Sequence, residues 1–302
     1  MINGILNIYK EKGYTSHDVV AKLRGITKQK KIGHTGTLDP DAQGVLPVCL
    51  GKATKLCDML TDKSKTYEAV LLLGICTDTQ DISGKILKKK STEELTEEMV
   101  LDCIQGYIGE YEQLPPMYSA LKVNGKKLYE LAREGIEIER KPRKVTIYNI
   151  HVDEIHLPRV RMTISCSKGT YIRTLCHDIG EKLGTGGCME SLLRTRVSCF
   201  ELKDSLKLEE VAEKIAEEKL TEILVPVDAM FRDKKAVCVR QECEVLVYNG
   251  NSFHREEICI PERYADGESV RVYDTKEHFV GTYCYDASKD AFHVEKMFLD
   301  LS

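Results

Sequence analysis

The chain has 302 residues, 42% of them hydrophobic and 30% charged, which suits one large domain with a small one and leaves enough apolar residues for a sizeable core. No apolar run approaches the length of a membrane span and residues 1–10 lack the apolar core of a signal peptide, so membrane functions are set aside and a cytoplasmic protein is expected. The net charge of −4 argues against a uniformly basic nucleic-acid binder, but the charge is unevenly spread: residues 1–65 carry 11 Lys and Arg against 6 Asp and Glu, residues 120–173 carry 12 against 6, and residues 91–113 carry seven acids and no base. Two basic segments are what a local phosphate-binding face requires.

Twelve cysteines are scattered singly, several inside apolar runs such as Val48-Cys49-Leu50. None forms a Cys-x-x-Cys pair, and Cys238 with Cys243 is too widely spaced and isolated to suggest zinc. Reduced, mostly buried thiols and no bound metal are the expectation.

In chain order, residues 4–8 read as a short strand, followed by a turn at Gly13 and a helix with Ser16 as N-cap and Val19, Val20 and Leu23 on its apolar side. Residues 31–55 then read KIGHTGTLDPDAQGVLPVCLGKATK. Gly33 and Gly36 let the chain bend sharply, and Pro40 biases Asp39 away from helical angles. A loop so constrained presents the Asp39 side chain before the apolar run that follows it enters the core as a strand. Asp39 and Thr37 could also do no more than organise a turn.

Residues 53–60 predict a helix and residues 66–75 a buried strand. Thr96 is placed to cap a helix through Tyr107, with Glu97 and Glu98 where the helix dipole favours acids. Residues 115–143 start with two prolines, offer a turn at Asn124-Gly125 and a short amphipathic helix over 126–133, and end in the basic run 140–144. Strands are predicted over 145–155 and 160–166, a helix over 170–183 closed by Gly184, and an acidic helix over 208–224. His177, on the helix, has no chemical partner in the sequence and is expected to be packed or capped. Pro226-Val227-Asp228 marks a boundary. Residues 236–302 are short alternating runs broken by turns, as in a small β-barrel of five or six strands.

The order and spacing of several blocks carry a resemblance. Gly33-His34-Thr35-Gly36-Thr37-Leu38-Asp39-Pro40, the following Gly44-Val45-Leu46-Pro47 run, Lys65-Thr66-Tyr67, Thr77 to Asp81 with Gly84, Pro116 to Lys122 and Cys166 to Thr174 resemble the TruB family, which converts uridine 55 in the T loop of transfer RNA to pseudouridine. The resemblance implies an α+β protein. Its pseudouridine synthase fold has a mixed, mainly antiparallel central sheet with flanking helices over residues 1–230, and residues 115–143 form a thumb loop closing over RNA. Val270 to Asp274 with Phe279 to Tyr283 resembles a PUA-type RNA-binding domain, giving a second unit over 236–302.

Forming pseudouridine breaks the bond from ribose to N1, turns the base and re-forms the bond at C5, so it needs a nucleophile and proton transfer but no cofactor. A carboxylate can be that nucleophile, and an arginine beside it offsets the rise in pKa that burial causes. The resemblance assigns Asp39 as nucleophile, Arg173 as its ion-pair partner and Tyr67 as the aromatic that stacks on the uracil. It makes Tyr171 and Leu192 pocket-lining residues, puts His34 against the displaced nucleotide region and matches Lys10 to a substrate-contacting lysine. The family tends to read Leu-Arg-Arg where this chain has Leu192-Leu193-Arg194, so a phosphate contact at 193 is not implied. Asp78 and Asp81, beside Gly84, fit a turn better than a metal site.

The partner so implied is the tRNA T-arm, bound by a monomer without guide RNA. A non-catalytic RNA-binding or tRNA-folding protein on the same scaffold, a glycoside-type hydrolase, which would want a second carboxylate, and a guide-dependent relative stay open.

Overall fold

The protein is described from a computed structural model, for residues 1–123 and 125–299. Its main sheet has ten strands. Eight lie side by side in the order Leu224–Val225, Gly4–Lys10, Gln43–Leu50, Gly187–Val197, Lys65–Leu73, Arg159–Cys166, Arg143–His156 and Gly109–Gln113; Ile32–His34 and Phe200–Glu201 pair at the side. The pairings are antiparallel except for Gly187–Val197 on Gln43–Leu50, where Leu193 meets Gln43 and Arg194 meets Gly44 in parallel. The sheet is therefore mixed and mainly antiparallel, within an α+β fold.

Strand patterning explains the layers. Along Lys65–Leu73 every second residue is buried, as for a strand covered by helices on one face. Its face joins Arg143–His156 and Arg159–Cys166 in a core with helices Glu97–Gln105 and Ile172–Lys182, through Val100, Ile104, Leu175 and Ile179. Gln43–Leu50 is buried almost throughout because it is covered on both faces: Val45 and Cys49 enter one core, and Leu46, Val48 and Leu50 enter another with Val19, Leu23 and Val211. The loop ahead of this strand therefore starts from one of the most firmly packed parts of the molecule.

Several elements differ from the expectation. Thr15, not Ser16, caps the first helix, because Asp18 completes a capping box with it: Thr15 Oγ1 accepts from the Asp18 N–H and Asp18 accepts from the Thr15 N–H. Residues 53–60 divide into a 3-10 stretch, Gly51–Leu56, and one α-turn, Cys57–Thr61. The acidic helix stops at Ala216. Glu218 takes a left-handed φ of 60° and Lys219 N donates back to Lys214 O at 2.8 Å; this turn lets Leu224–Val225 pair with Gly4–Lys10.

Residues 115–143 leave the sheet and return at one place, since Arg143 pairs with Gln113. The excursion carries a two-stranded hairpin, Lys122–Val123 with Lys126–Lys127, and a helix, Leu128–Arg133, shorter than expected. Asn124, part of the expected turn, lies outside the described residues. Arg140 Nη1 donates to Pro115 O at 3.1 Å and so ties the two ends together.

Residues after Pro226 continue as a packed 3-10 turn, Val227–Phe231, and not as an open linker. A curled five-stranded sheet follows, in the order Lys235–Cys238, Ser269–Tyr273, Phe279–Asp286, Ala291–Met297, Phe253–His254, a half-barrel around Val270, Val272, Tyr283 and Phe292. Phe231 and Phe298, with ring centroids 5.7 Å apart, pack in the same core as Ile5 and Val45, so the curled sheet leans on the main one. Among the described residues no helix is long and apolar enough to cross a membrane, and no group of three or more His, Cys, Asp or Glu is arranged to hold a metal ion.

Candidate active site

Asp39 stands in the loop between Ile32–His34 and Gln43–Leu50, held along its length by groups behind it. Thr35 is fully buried and donates through both N and Oγ1 to Pro47 O. The Leu38 N–H donates to Ser16 Oγ at 2.9 Å. Relieved of capping by Thr15, Ser16 is free to pin this loop. Pro40 O accepts from Gly13 N at 2.9 Å and Lys10 Nζ at 3.1 Å. Gly36, at φ 125°, makes the turn that a side chain would strain.

Arg173 comes from the first turn of the Ile172–Lys182 helix and meets Asp39 as a fork: Nε donates to Oδ2 at 2.8 Å and Nη2 to Oδ1 at 3.1 Å. The guanidinium side chain is 5% exposed and the Asp39 side chain 39%, so the charge partner is buried while the carboxylate faces outward. The remaining donors of Arg173 are also used, Nη1 on Thr79 O at 3.0 Å and Nη2 on Tyr118 O at 2.8 Å, with Asp81 Oδ2 at 3.7 Å. Such a planar, doubly bonded pair fixes direction as well as charge. Tyr118 lies at the start of the 115–143 excursion, so that segment is fastened to the partner of Asp39.

Asp81 otherwise organises its own turn, accepting from Thr79 Oγ1, Ser83 N and Ser83 Oγ, while Asp78 accepts from Lys85 N.

Tyr67 is buried on Lys65–Leu73, in one core with Leu38, Ala42 and Ala69, and Leu192 packs on its edge. Register aligns Leu192 with Ala69 and Arg194 with Tyr67, so all four share one sheet face. Leu193, paired with Glu68, points to the other face, which removes position 193 from this side of the sheet. Burial pushes the Tyr67 phenol up, and Arg194 opposes that shift.

Tyr171 immediately precedes the helix of Arg173, half-buried, with its phenol pushed up by burial. The buried Gln113 amide brackets its backbone, accepting from Tyr171 N at 2.7 Å and donating to Tyr171 O at 3.0 Å. His34 is half-buried at the entrance to the loop and edge-on to His17 at 5.5 Å; burial and His17 push its pKa down, and Gly36 N donates to Nδ1 at 3.3 Å.

Lys10 differs from its expected place. It is fully buried and its ammonium donates to the carbonyls of Glu11, Tyr14 and Pro40, at 3.2, 2.6 and 3.1 Å. It braces the loop and has no donor left for a substrate. Burial lowers its pKa to about 8.

Arg194 was not among the expected site residues. It is buried at the single parallel junction of the main sheet, where Nε donates to Val45 O at 2.7 Å and the two terminal nitrogens lie 3.4 and 3.5 Å from Gly36 O and Thr37 O. Gly44 permits this approach: a Cβ there would fall 2.2 Å from Arg194 O. Nothing local in the sequence marks Arg194 as a prop, because the contact depends on the pairing of strands about 150 residues apart.

Residues 24–172 match the family described as "TruB family pseudouridylate synthase (N terminal domain)", and residues 173–232 the "tRNA pseudouridylate synthase B C-terminal domain". The chain belongs to the TruB family. It is 53% identical to the tRNA pseudouridine synthase B of Lachnoclostridium phytofermentans, over 99% of this chain and all of that one. The protein of the same name from Alkaliphilus oremlandii is 49% identical, over 93% of this chain and 92% of its own length. Among solved structures, a Cbf5-Nop10-Gar1 complex matches with a TM-score of 0.71 at 27% identity, covering 98% of this chain and 85% of that one. An H/ACA RNP bound to a substrate RNA containing 2'-deoxyuridine matches with a TM-score of 0.70 at 25% identity, with the same coverage. The likeness extends through the curled sheet and gives this TruB-family chain the pseudouridine synthase fold.

Proposed function

We propose that this protein isomerises uridine 55 to pseudouridine in the T loop of tRNA, with Asp39 as the nucleophile. The observation that carries the reading is the fork between a buried Arg173 and an outward-facing Asp39, on a loop braced from behind. Arg173 answers the charge of the carboxylate where RNA will exclude water, and it holds one edge of that carboxylate so that the other side addresses the sugar or base. The base must leave the stack to reach Asp39; stacking on an aromatic offsets part of that cost, and Tyr67, with Leu192 packed on the same core, is the candidate platform, Tyr171 being a further candidate lining residue. The C1′–N1 bond breaks, C1′ bonds to C5, the C5 proton leaves and N1 takes one up, so the reaction balances without an added reagent.

Further elements fit an RNA substrate. We take residues 1–230 as the catalytic unit, residues 115–143 as a thumb over the RNA, and the curled sheet of 236–302 as an RNA-binding unit resembling PUA domains. His34 would pack beside the displaced nucleotide. The chain would act as a monomer in the cytoplasm, with no cofactor.

Two of the solved structures that match, an H/ACA RNP bound to a substrate RNA and a Cbf5-Nop10-Gar1 complex, are multicomponent assemblies, which favours one second reading, that a further component such as an RNA guide positions the substrate. The excursion at 115–143, pinned to Arg173 through Tyr118 O, favours a protein that clamps its own substrate.

The test is tritium release from C5-labelled uridine in an unmodified T-arm hairpin, comparing wild type with Asp39→Asn and adding no guide. Wild type should release tritium and Asp39→Asn should not, while both bind the hairpin. Appreciable release by Asp39→Asn would remove the nucleophile assignment, and no release by either, with binding retained, would favour the guided or the non-catalytic reading.

A further inference from the structure

The curled sheet contains a pair of thiols with no part in the proposed chemistry. Cys238 ends the Lys235–Cys238 strand and Cys259 follows an antiparallel bridge between Val239 and Ile258. The bridge is flanked by Cys259 N donating to Cys238 O at 2.8 Å and Arg240 N donating to Glu257 O at 2.9 Å, which sets the two cysteines directly opposite one another. Residues so opposed have Cα atoms about 4.5–5.5 Å apart, within the roughly 4.4–6.8 Å that a disulfide spans. Their sulfurs already lie 3.2 Å apart, and both thiols approach the Val239 carbonyl, at 3.5 Å from Cys238 and 3.4 Å from Cys259. Cys259 is exposed and Cys238 partly so, whereas most of the remaining cysteines are buried.

We propose that Cys238 and Cys259 form a reversible dithiol–disulfide site on the curled sheet, whose reactant is a low-molecular-weight disulfide such as oxidised glutathione. The exposed Cys259 thiolate attacks one sulfur of that reactant; the S–S bond breaks, the first thiol leaves, and a mixed disulfide forms at Cys259. Cys238 then gives up its proton and attacks the Cys259 sulfur, and the second thiol departs. The protein loses two protons and two electrons, and the small disulfide takes up both to become two thiols. Burial, Cys259 and the nearby Asp274 push the Cys238 thiol up to about 11, which suits Cys259 as the first nucleophile and makes closure faster as pH rises. The bond would close the segment 239–258, which contributes Val247 and Phe253 to the core of the curled sheet, and so stabilise that core.

The experiment treats the full chain with oxidised glutathione, blocks remaining thiols with an alkylating agent and maps the peptides. Cys199, exposed and with no thiol against it among the described residues, is the internal control and should keep glutathione as a mixed disulfide. Wild type should give a cross-linked 238–259 peptide pair with glutathione retained on neither cysteine. Cys238→Ser should trap glutathione on Cys259, and a thermal scan of the oxidised wild type should show the midpoint raised on the order of 5 °C. Both thiols alkylated while Cys199 is modified, or glutathione held stably on Cys259 of the wild type, would overturn the proposal. The wild-type map decides this even should a variant fold poorly.

Discussion

Two buried arginines flank the Asp39 loop, and they do opposite things. Arg173 meets a carboxylate and two carbonyls, and its charge is answered by charge. Arg194 meets the carbonyls of Val45, Gly36 and Thr37 and the face of the sheet that carries Tyr67, and its burial lowers its pKa. The first arrangement governs the aim of the Asp39 carboxylate; the second governs the shape of the backbone that carries Asp39. A buried cation surrounded by carbonyls costs more to maintain than one with a carboxylate, so its retention points to geometry as the gain.

Between the two arginines, the larger effect is expected from Arg173→Lys. A lysine supplies charge but not the parallel N–H pair, so turnover should fall about 100- to 1,000-fold, equivalent to roughly 3–4 kcal/mol, while hairpin affinity stays within a few-fold. Single-turnover rates and filter binding on the same preparation separate the two. Equal losses in rate and affinity would mean that Arg173 holds RNA and not Asp39.

Arg194→Met should come second and differ in kind. It removes the buried cation together with its desolvation cost but takes the arginine away from three carbonyls, Gly36 and Thr37 in the loop and Val45 on the strand after it, which costs about 1–3 kcal/mol each at most and is partly offset. We expect about 2–4 kcal/mol of stability lost in urea titration and a turnover about 10- to 100-fold lower under conditions where the variant stays folded. Were the folded variant to turn over at the wild-type rate, Arg194 would be a core residue with no bearing on Asp39, and the contrast with Arg173 would collapse.

This contrast also separates what was legible in the sequence from what was not. Asp39, Tyr67 and Arg173 stood in blocks of recognisable order, and the structure sets the first and last in direct contact. The strands over 145–155 and 160–166 were plain because alternation reports a half-buried strand locally. The props were hidden because they act across distance. Thr15 and Ser16 are both good caps; only the fold shows that Asp18 claims Thr15 and the Leu38 backbone claims Ser16. Arg194 looked like one charge left from a basic pair, since its burial follows from register with Gly44 and Tyr67. The break at Glu218 was equally invisible, because the acidic periodicity runs on and the turn is imposed by the pairing of Leu224–Val225 with the first strand.

Lys10 gives the smallest effect and the one that tests the props by titration. Its pKa stands at about 8 in the folded chain against 10.5 for the free side chain. Between these values the unfolded chain holds a proton that the folded chain has released, so the Lys10 contribution makes stability rise with pH across that window; below it, the buried ammonium is a constant penalty. Wild type should therefore gain on Lys10→Met between pH 8 and 10, by up to about 3 kcal/mol at about 1.4 kcal/mol per pH unit. Activity should move the other way. The ammonium serves three carbonyls with three N–H groups, whereas the neutral amine has only two, so the hold on Pro40 O weakens and wild-type turnover should drop a few-fold as pH passes 8. Urea midpoints and single-turnover rates of both proteins from pH 7 to 10 give the two profiles together. A stability difference that stays flat would show that Lys10 keeps its proton throughout, and the brace behind Asp39 would then be indifferent to pH.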